Sequence, residues 1–230
     1  MDVLVNILGK YGFTRVNTSL KNPVVINCVP GAGKSSCIRE LLEVDSRFVA
    51  FTAGLEDKPN IRGKWIRKFT GTVEEGKFNL LDEYTLVEKL PTNLFAVFGD
   101  PLQSNLSTPL CADFICSHSR RFGTATAQLL RDLNFDVTAE GPDCVQIADI
   151  FSVDPRDQIL FFEKEVGELL CRHNLDAKHI SEVVGQTFDS VTFVTGECGP
   201  TSAVEAFQCL TRHRKSLLIL CPDASYTATR

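Results

Sequence analysis

At 230 residues, 43% of them hydrophobic and 23% charged, the chain has an ordinary globular composition that argues against disorder and leaves room for one or two domains. Lys and Arg number 24 and Asp and Glu 29, so 24 − 29 = −5, which excludes coating of nucleic acid by bulk charge and leaves only a local basic groove for that purpose. Nine cysteines without a CxxC pair, no signal-peptide pattern after Met1-Asp2 and no apolar run near the ~18 residues of a membrane span predict reduced thiols in a cytosolic compartment and no intrinsic transmembrane segment.

In residues 1–12, Val3, Leu4, Ile7, Leu8 and Tyr11 recur at helical spacing and predict a short amphipathic helix. A membrane surface would ask for more positive charge than Lys10 supplies, so packing against the core is the expectation. Val24, Val25, Ile26 and Val29 read as a buried strand, and Pro30-Gly31-Ala32-Gly33-Lys34-Ser35-Ser36 turns it into a helix running through Leu42. Such a loop directs backbone N–H groups and a helix N-terminus at an anion, which predicts a bound nucleoside triphosphate. Lys34 would reach its β- and γ-phosphates, and the Ser35 hydroxyl would complete a Mg²⁺ shell. Cys28 stands where the P-loop pattern wants a glycine, so the match is partial, and a chance Gly-x-Gly-Lys-Ser turn is the bland alternative.

Phe48–Phe51 predicts a second strand, with Thr52-Ala53-Gly54 at its carboxyl end, where ligand-contacting loops emerge from a parallel sheet. In the next segment Arg62, Lys64, Arg67 and Lys68 surround the only tryptophan, Trp65. Cations interleaved with an aromatic suit a single strand of nucleic acid, and a solvated loop over a buried tryptophan fits as well. Phe78–Leu81 predicts a third strand ending in Asp82-Glu83, an acid for Mg²⁺ and a neighbour placed to deprotonate the attacking water. Leu94–Phe98 predicts a fourth strand, and Gln103 at its end is an amide able to report a γ-phosphate. Phe114–Cys116 predicts a fifth, followed by Ser117 to Gly123 and a helix over Thr124–Leu133. Cys111, Cys116 and His118 form the tightest metal-like cluster but lack a second pair at zinc spacing.

No linker or repeat separates the halves, and the second continues the same alternation. Val145–Ile150 and Gln158–Phe162 read as strands, Glu163–Cys171 as a helix, Gly185–Asp189 as a polar turn and Val191–Val194 as a strand. Ser202–Leu210 reads as a helix ending in Thr211-Arg212-His213-Arg214-Lys215, and Ser216–Cys221 as a last buried strand. The alternation predicts an α/β fold of mostly parallel sheets with helices on both faces, in two units side by side.

The motifs, taken in order, resemble those of superfamily 1 RNA helicases. Val29–Ser35 is similar to the first, Thr52-Ala53-Gly54 to motif Ia, Leu81–Tyr84 to the second and Gly99–Gln103 to the third. Ser119–Phe122 resembles the fourth, Val184–Asp189 the fifth and Leu210–Arg214 the sixth. More narrowly, the chain resembles the first triple-gene-block movement proteins of flexuous filamentous plant viruses. The resemblance implies two small RecA-like P-loop NTPase units, 1–115 with the phosphate and magnesium residues and 116–230 with the arginines and an RNA-contact motif. It implies ATP and Mg²⁺ as cofactors, with Lys34 and Ser35 on phosphate and metal, Asp82 as metal ligand, Glu83 as base and Gln103 as sensor. Arg121 and Arg212 would be arginine fingers, with Arg120 competing for the first role, and Thr52 and Thr187 would touch the RNA backbone. The partners implied are single-stranded viral RNA, virion or coat protein and small membrane-bound movement proteins, in the host cytoplasm and at plasmodesmata, with suppression of RNA silencing and with self-association left open. Units near the lower end of the usual ~100 to 150 residues leave no room for accessory insertions, so ATPase with weak or conditional unwinding is expected.

Two other classes compete. A small-molecule kinase shares the P-loop and the strand-end acid but needs a metabolite pocket and lid instead of Gly185-Gln186-Thr187 and Thr211-Arg212. A non-enzymatic RNA- and partner-docking protein with a vestigial nucleotide site is the stronger rival. Intact Lys34, Asp82, Glu83, Gln103 and Arg212 argue against it.

Overall fold

Val24 and Ile26 of β2 (Val24–Cys28) are fully buried and Val25 nearly so, which an apolar strand with neighbours on both sides requires. In the computed structural model, which describes residues 1–103 and 109–228, β2 lies inside a seven-stranded sheet. Its companions are β1 (Thr14–Arg15), β3 (Phe48–Thr52), β4 (Arg67–Lys68), β5 (Phe78–Asp82), β6 (Leu94–Gly99) and β7 (Phe114–Cys116), in the order β1-β7-β2-β6-β5-β3-β4. Only β1 runs antiparallel to its neighbour; every other pair is parallel. The carboxyl ends of β2, β3, β5 and β6 therefore open on one edge of the sheet, the place where such sheets bind ligands.

Phe51, Leu81 and Val97 stand in register and share one face with Val25, where Tyr84, Leu94 and partly buried Phe69 and Val73 complete a core cluster. The helix α1 (Asp2–Lys10) buries Leu4, Ile7 and Leu8. Its polar end is fastened to α2 (Lys34–Val44), Lys10 Nζ to Glu40 Oε1 at 2.7 Å and Tyr11 Oη to Glu40 Oε2 at 3.0 Å. The apolar stripe thus serves the protein interior, as the sparse positive charge predicts.

By its internal contacts the chain divides into Met1–His118 and Ser119–Arg230. In the second unit a five-stranded, wholly parallel sheet has the order β10-β14-β13-β11-β12. Two short strands, β8 (His118–Ser119) at the division and β9 (Thr138–Ala139), lie outside it. The sheet strands are β10 (Cys144–Asp149), β11 (Gln158–Phe161), β12 (Ala177–His179), β13 (Phe188–Val194) and β14 (His213–Cys221), and the helices are α3 (Thr124–Asp132), α4 (Lys164–Arg172) and α5 (Ala203–Leu210). Ala148, Ile159, Val166, Leu170, Val194, Leu218 and Leu220 form a core cluster between sheet and helix.

The structure departs from the sequence expectation at β14. The strand begins at His213, not Ser216, because Phe188 N–H donates to the Arg212 carbonyl at 2.8 Å and Phe188 pairs with His213. Arg214 and Lys215 are exposed on that strand, so their charges mask it in the sequence. The edge strand β12, with its half-buried Ala-Lys-His, carries no apolar signal at all. Among the described residues no helix is long and apolar enough to cross a membrane.

Candidate active site

The chain leaves β2 through Pro30 and passes Gly31 at φ 78° and Gly33 at φ 100°, left-handed values that favour glycine, before Lys34 opens α2. Ala32 is fully buried, Ser35 and Ser36 follow in the first turn, and Cys28 occupies the last position of β2. Burial pushes the Cys28 thiol far above its ordinary pKa, so a small neutral group stands in place of the expected glycine.

Two strand ends, β5 with Asp82 and Glu83 and β6 with Asp100 just beyond it, bring three acids to Lys34. Its ammonium, with the residue 9% exposed, lies 3.4 Å from Glu83 Oε1. Burial works against that charge, but the carboxylates of Glu83, Asp82 and Asp100 prevail and hold the lysine well above its ordinary pKa. Asp82 is pushed up to about 7 by burial and by Glu83, against the pull of Lys34. Burial pushes Asp100 up to about 6, against the pull of Lys34 and hydrogen bonds from Leu102 N–H and Gln103. Three carboxyl groups around one ammonium make a site short of positive charge, the condition a divalent cation relieves. Gln103 donates from Nε2 to Asp100 Oδ2 at 2.8 Å, so the amide expected to report a γ-phosphate is held by a buried acid to which the sequence alone gives no role.

Glu83 adopts φ 54° and ψ 43°, a left-handed conformation whose strain costs roughly 1 to 3 kcal/mol. Gly54 lies directly against it: a Cβ there would stand 3.4 Å from Glu83 Cγ. Thr52 is buried and its hydroxyl accepts from Gly54 N–H at 3.0 Å, which shapes the turn.

In the second unit Arg121 Nη1 donates to the Thr211 carbonyl at 3.0 Å, so the fourth- and sixth-motif segments meet although 90 residues separate them. Arg212 is 2% exposed, Arg121 half-buried and Arg120 exposed. Thr187 is half-buried in the turn before β13.

The basic segment is more tightly knit than a string of cations suggests. Asp57 N–H donates to the Ile66 carbonyl at 2.9 Å and closes the loop, and Arg39 of α2 grips Asp57 through Nη2 at 2.5 Å. Arg62 and Lys64 lie 3.6 and 3.9 Å from Glu43, and Lys64 also donates to the Glu43 carbonyl near the end of α2, where the helix dipole favours a cation. Arg67 pairs with Glu74 at 2.7 Å and covers the Phe51 ring at 4.9 Å. Lys68 donates to the carbonyls of Ala53 at 3.1 Å and Gly54 at 2.9 Å. Trp65 is half-buried, while Leu55 and Ile61 are 73% and 105% exposed.

The family model of the viral superfamily 1 RNA helicase core domain matches residues 24–221. Among curated proteins, the movement and silencing protein TGBp1 of Chrysanthemum virus B is 49% identical over 231 residues, covering 100% of both chains. That of Lily symptomless virus is 48% identical with 100% of both covered, and that of Poplar mosaic virus 41% identical with 98% of this chain and 99% of the other covered. Among solved structures, the PRRSV helicase superposes with a TM-score of 0.64 at 20% identity, over 96% of this chain and 54% of that one. The arterivirus nonstructural protein 10 helicase in complex with DNA gives 0.54 at 16% identity, over 95% and 56%. The chain thus spans about half the length of these solved helicases, and they share its fold. With the family model running from the first residue of β2 to the last of β14, the chain belongs to the viral superfamily 1 RNA helicase core family.

Proposed function

We propose that this chain is a Mg²⁺-dependent NTPase of the helicase type that binds single-stranded RNA and serves its virus as a movement and silencing protein, the description its relatives carry. The observation that carries the catalytic part is Lys34 Nζ 3.4 Å from Glu83 Oε1, with Asp82 and Asp100 buried beside them. Pro30 to Ser36 cradle the triphosphate, and Lys34 leaves Glu83 to neutralise the β- and γ-phosphates. Ser35 and Asp82 would hold Mg²⁺, which when bound spreads the phosphate charge. Glu83, once released, accepts the proton of the attacking water. Gln103, held by Asp100, reports the γ-phosphate. Arg121 and Arg212, whose segments the Arg121–Thr211 hydrogen bond joins within the second unit, are the arginines we assign to the charge of the transferred phosphoryl group.

RNA contact falls to Thr52, Thr187, Arg62, Lys64 and the face of Trp65, with Arg67 and Lys68 shaping the loop that presents them. Virion or coat protein and small membrane-bound movement proteins are the partners we assign, with the host cytoplasm and plasmodesmata as the place of action. Each unit supplies one half of a RecA-like helicase core.

The test is ATP hydrolysis by the full chain with and without single-stranded RNA. RNA-stimulated, Mg²⁺-dependent turnover is expected. ATP turnover that ignores RNA and passes the phosphoryl group to a nucleoside or metabolite instead of water would overturn the reading in favour of a small-molecule kinase.

A further inference from the structure

The second unit buries a polar cluster to which nothing above gives a task. His213 is fully buried, its Nε2 2.9 Å from Thr126 Oγ1 and 3.8 Å from Asp143 Oδ2. Its Nδ1 meets no hydrogen-bond partner among the described residues. The Phe122 ring stacks on the imidazole with centroids 6.1 Å apart. Asp143, whose side chain is equally buried, accepts from the backbone N–H of Ala125 at 2.8 Å and of Thr126 at 3.3 Å, and so satisfies the first turn of α3. Gly123, just ahead of that turn, has no room for a side chain: a Cβ would stand 2.5 Å from the Gly141 carbonyl oxygen.

These contacts join two short segments. One runs from Arg120 to the start of α3 and carries Arg121; the other is Thr211-Arg212-His213, where α5 gives way to β14. Asp143 fastens the first, and His213 ties it to the second one residue after Arg212. A leucine at 213 would pack α3 against β14 without desolvating a polar ring, so packing alone does not call for an imidazole there. What the buried His–Asp–Thr set adds is direction, because its hydrogen bonds are made at one register only.

We propose that Asp143 and His213 are positioning residues for Arg121 and Arg212, holding both guanidinium groups in the one arrangement that serves phosphoryl transfer. This rests on the arginine assignment made under Proposed function. A displacement of about 1 Å at such groups is enough to cost up to about 100-fold in rate.

The experiment is steady-state ATPase of the full chain with single-stranded RNA, alongside chemical denaturation. His213→Leu is expected to lower kcat by about 10- to 100-fold while KM for ATP stays within about twofold. His213→Gln, whose amide nitrogen reaches toward Thr126, should recover most of that loss. In an Arg121→Ala, Arg212→Lys background, His213→Leu should cost nothing further in kcat, yet shift the denaturation midpoint as it does alone. A kcat loss that persists in full in that background marks a purely structural residue and overturns the proposal. If His213→Leu does not fold, Asp143→Asn and Thr126→Val carry the same readout: a lowered kcat at constant KM is expected, and wild-type kcat in both overturns it. The arginine variants alone separate the two readings. If they keep wild-type kcat, the arginine assignment itself fails; if they lose it while the His213, Asp143 and Thr126 variants do not, only the positioning proposal fails.

Discussion

The Lys34 ammonium and the Glu83 carboxylate stand 3.4 Å apart, each occupying the other's charge at the edge of the sheet. The residue we assign to phosphate and the residue we assign to the proton of the attacking water are therefore paired with one another. Lys34→Ala should abolish hydrolysis, because it removes the point charge for the β/γ-phosphates and leaves Glu83 beside Asp82 and Asp100 with no cation between them. Glu83→Gln should bind nucleotide at least as well as wild type, since Lys34 is released from its ion pair, yet hardly hydrolyse it. Fluorescent-nucleotide titration beside a phosphate-release assay checks both. Wild-type turnover in Lys34→Ala, or loss of binding in Glu83→Gln, would sink the assignment.

The same crowding sets a pH dependence. Asp82 at about 7 and Asp100 at about 6 lie above the ordinary value of 3.8, and Glu163 is raised as well. Between 3.8 and these values the folded chain holds protons that the unfolded chain has already lost, so stability falls as pH rises through that window. Asp143 works the other way, but its contribution is lost only as pH falls below the ordinary carboxylate range. Without Mg²⁺ and nucleotide, the urea midpoint should therefore decline from pH 5 to pH 8. Asp82→Asn should flatten the decline and be the more stable protein at pH 8, although inactive. Adding Mg²⁺ at pH 8 should stabilise wild type and not Asp82→Asn; equal effects on both would remove Asp82 from the metal shell.

Gly99 ends β6 immediately before Asp100, and a Cβ there would stand 2.7 Å from Tyr84 Cδ1 and Cε1. The ring has little freedom to yield, because Tyr84 is 3% exposed and its hydroxyl donates to Asn27 Oδ1 at 3.0 Å. Gly99→Ala should cost about 1 to 3 kcal/mol by overpacking and also lower turnover, since any shift moves Asp100 and with it Gln103. Urea denaturation with an unchanged m-value, read beside kcat, checks it.

Much of this was legible because the chemistry sits where apolar strands end. Val24–Cys28, Phe48–Thr52 and Phe78–Asp82 announce themselves as buried runs, and Lys34, Asp82 and Glu83 follow from them. Asp100 lies within Gly99–Gln103, yet its hold on Gln103 depends on burial that no spacing reveals. Asp143 carried no signal: it precedes a half-buried strand, and its partners, Ala125 and His213, are 18 and 70 residues away, from 143 − 125 and 213 − 143. The first residues of β14 are hidden in the sequence because Arg214 and Lys215 look like a helix end until pairing with β13 is seen.

The basic segment is where three-dimensional pairing changes an expectation most. Taken as a string, Arg62, Lys64, Arg67 and Lys68 promise several phosphate contacts, each worth about −0.7 in the slope of log affinity against log salt on a single strand. In the fold Arg67 already has Glu74 and the Phe51 face, and Lys68 spends two donors on the backbone of Ala53 and Gly54. Arg62, with its side chain 73% exposed and Glu43 a loose 3.6 Å away, is the cation most readily turned to a phosphate. Arg62→Ala should therefore weaken single-stranded RNA binding and flatten the salt slope by about 0.7, with basal ATPase unchanged. Arg67→Ala with Lys68→Ala should flatten the slope by less than that, about 0.5 or below, and instead lower basal ATPase, because Gly54 lies against Glu83 and loses its tether. Trp65→Ala should cost about 1 to 3 kcal/mol of RNA affinity if a base stacks on the exposed part of the ring. A double variant that flattens the slope by a full unit or more with normal basal ATPase would return Arg67 and Lys68 to the RNA path and make their internal pairings incidental.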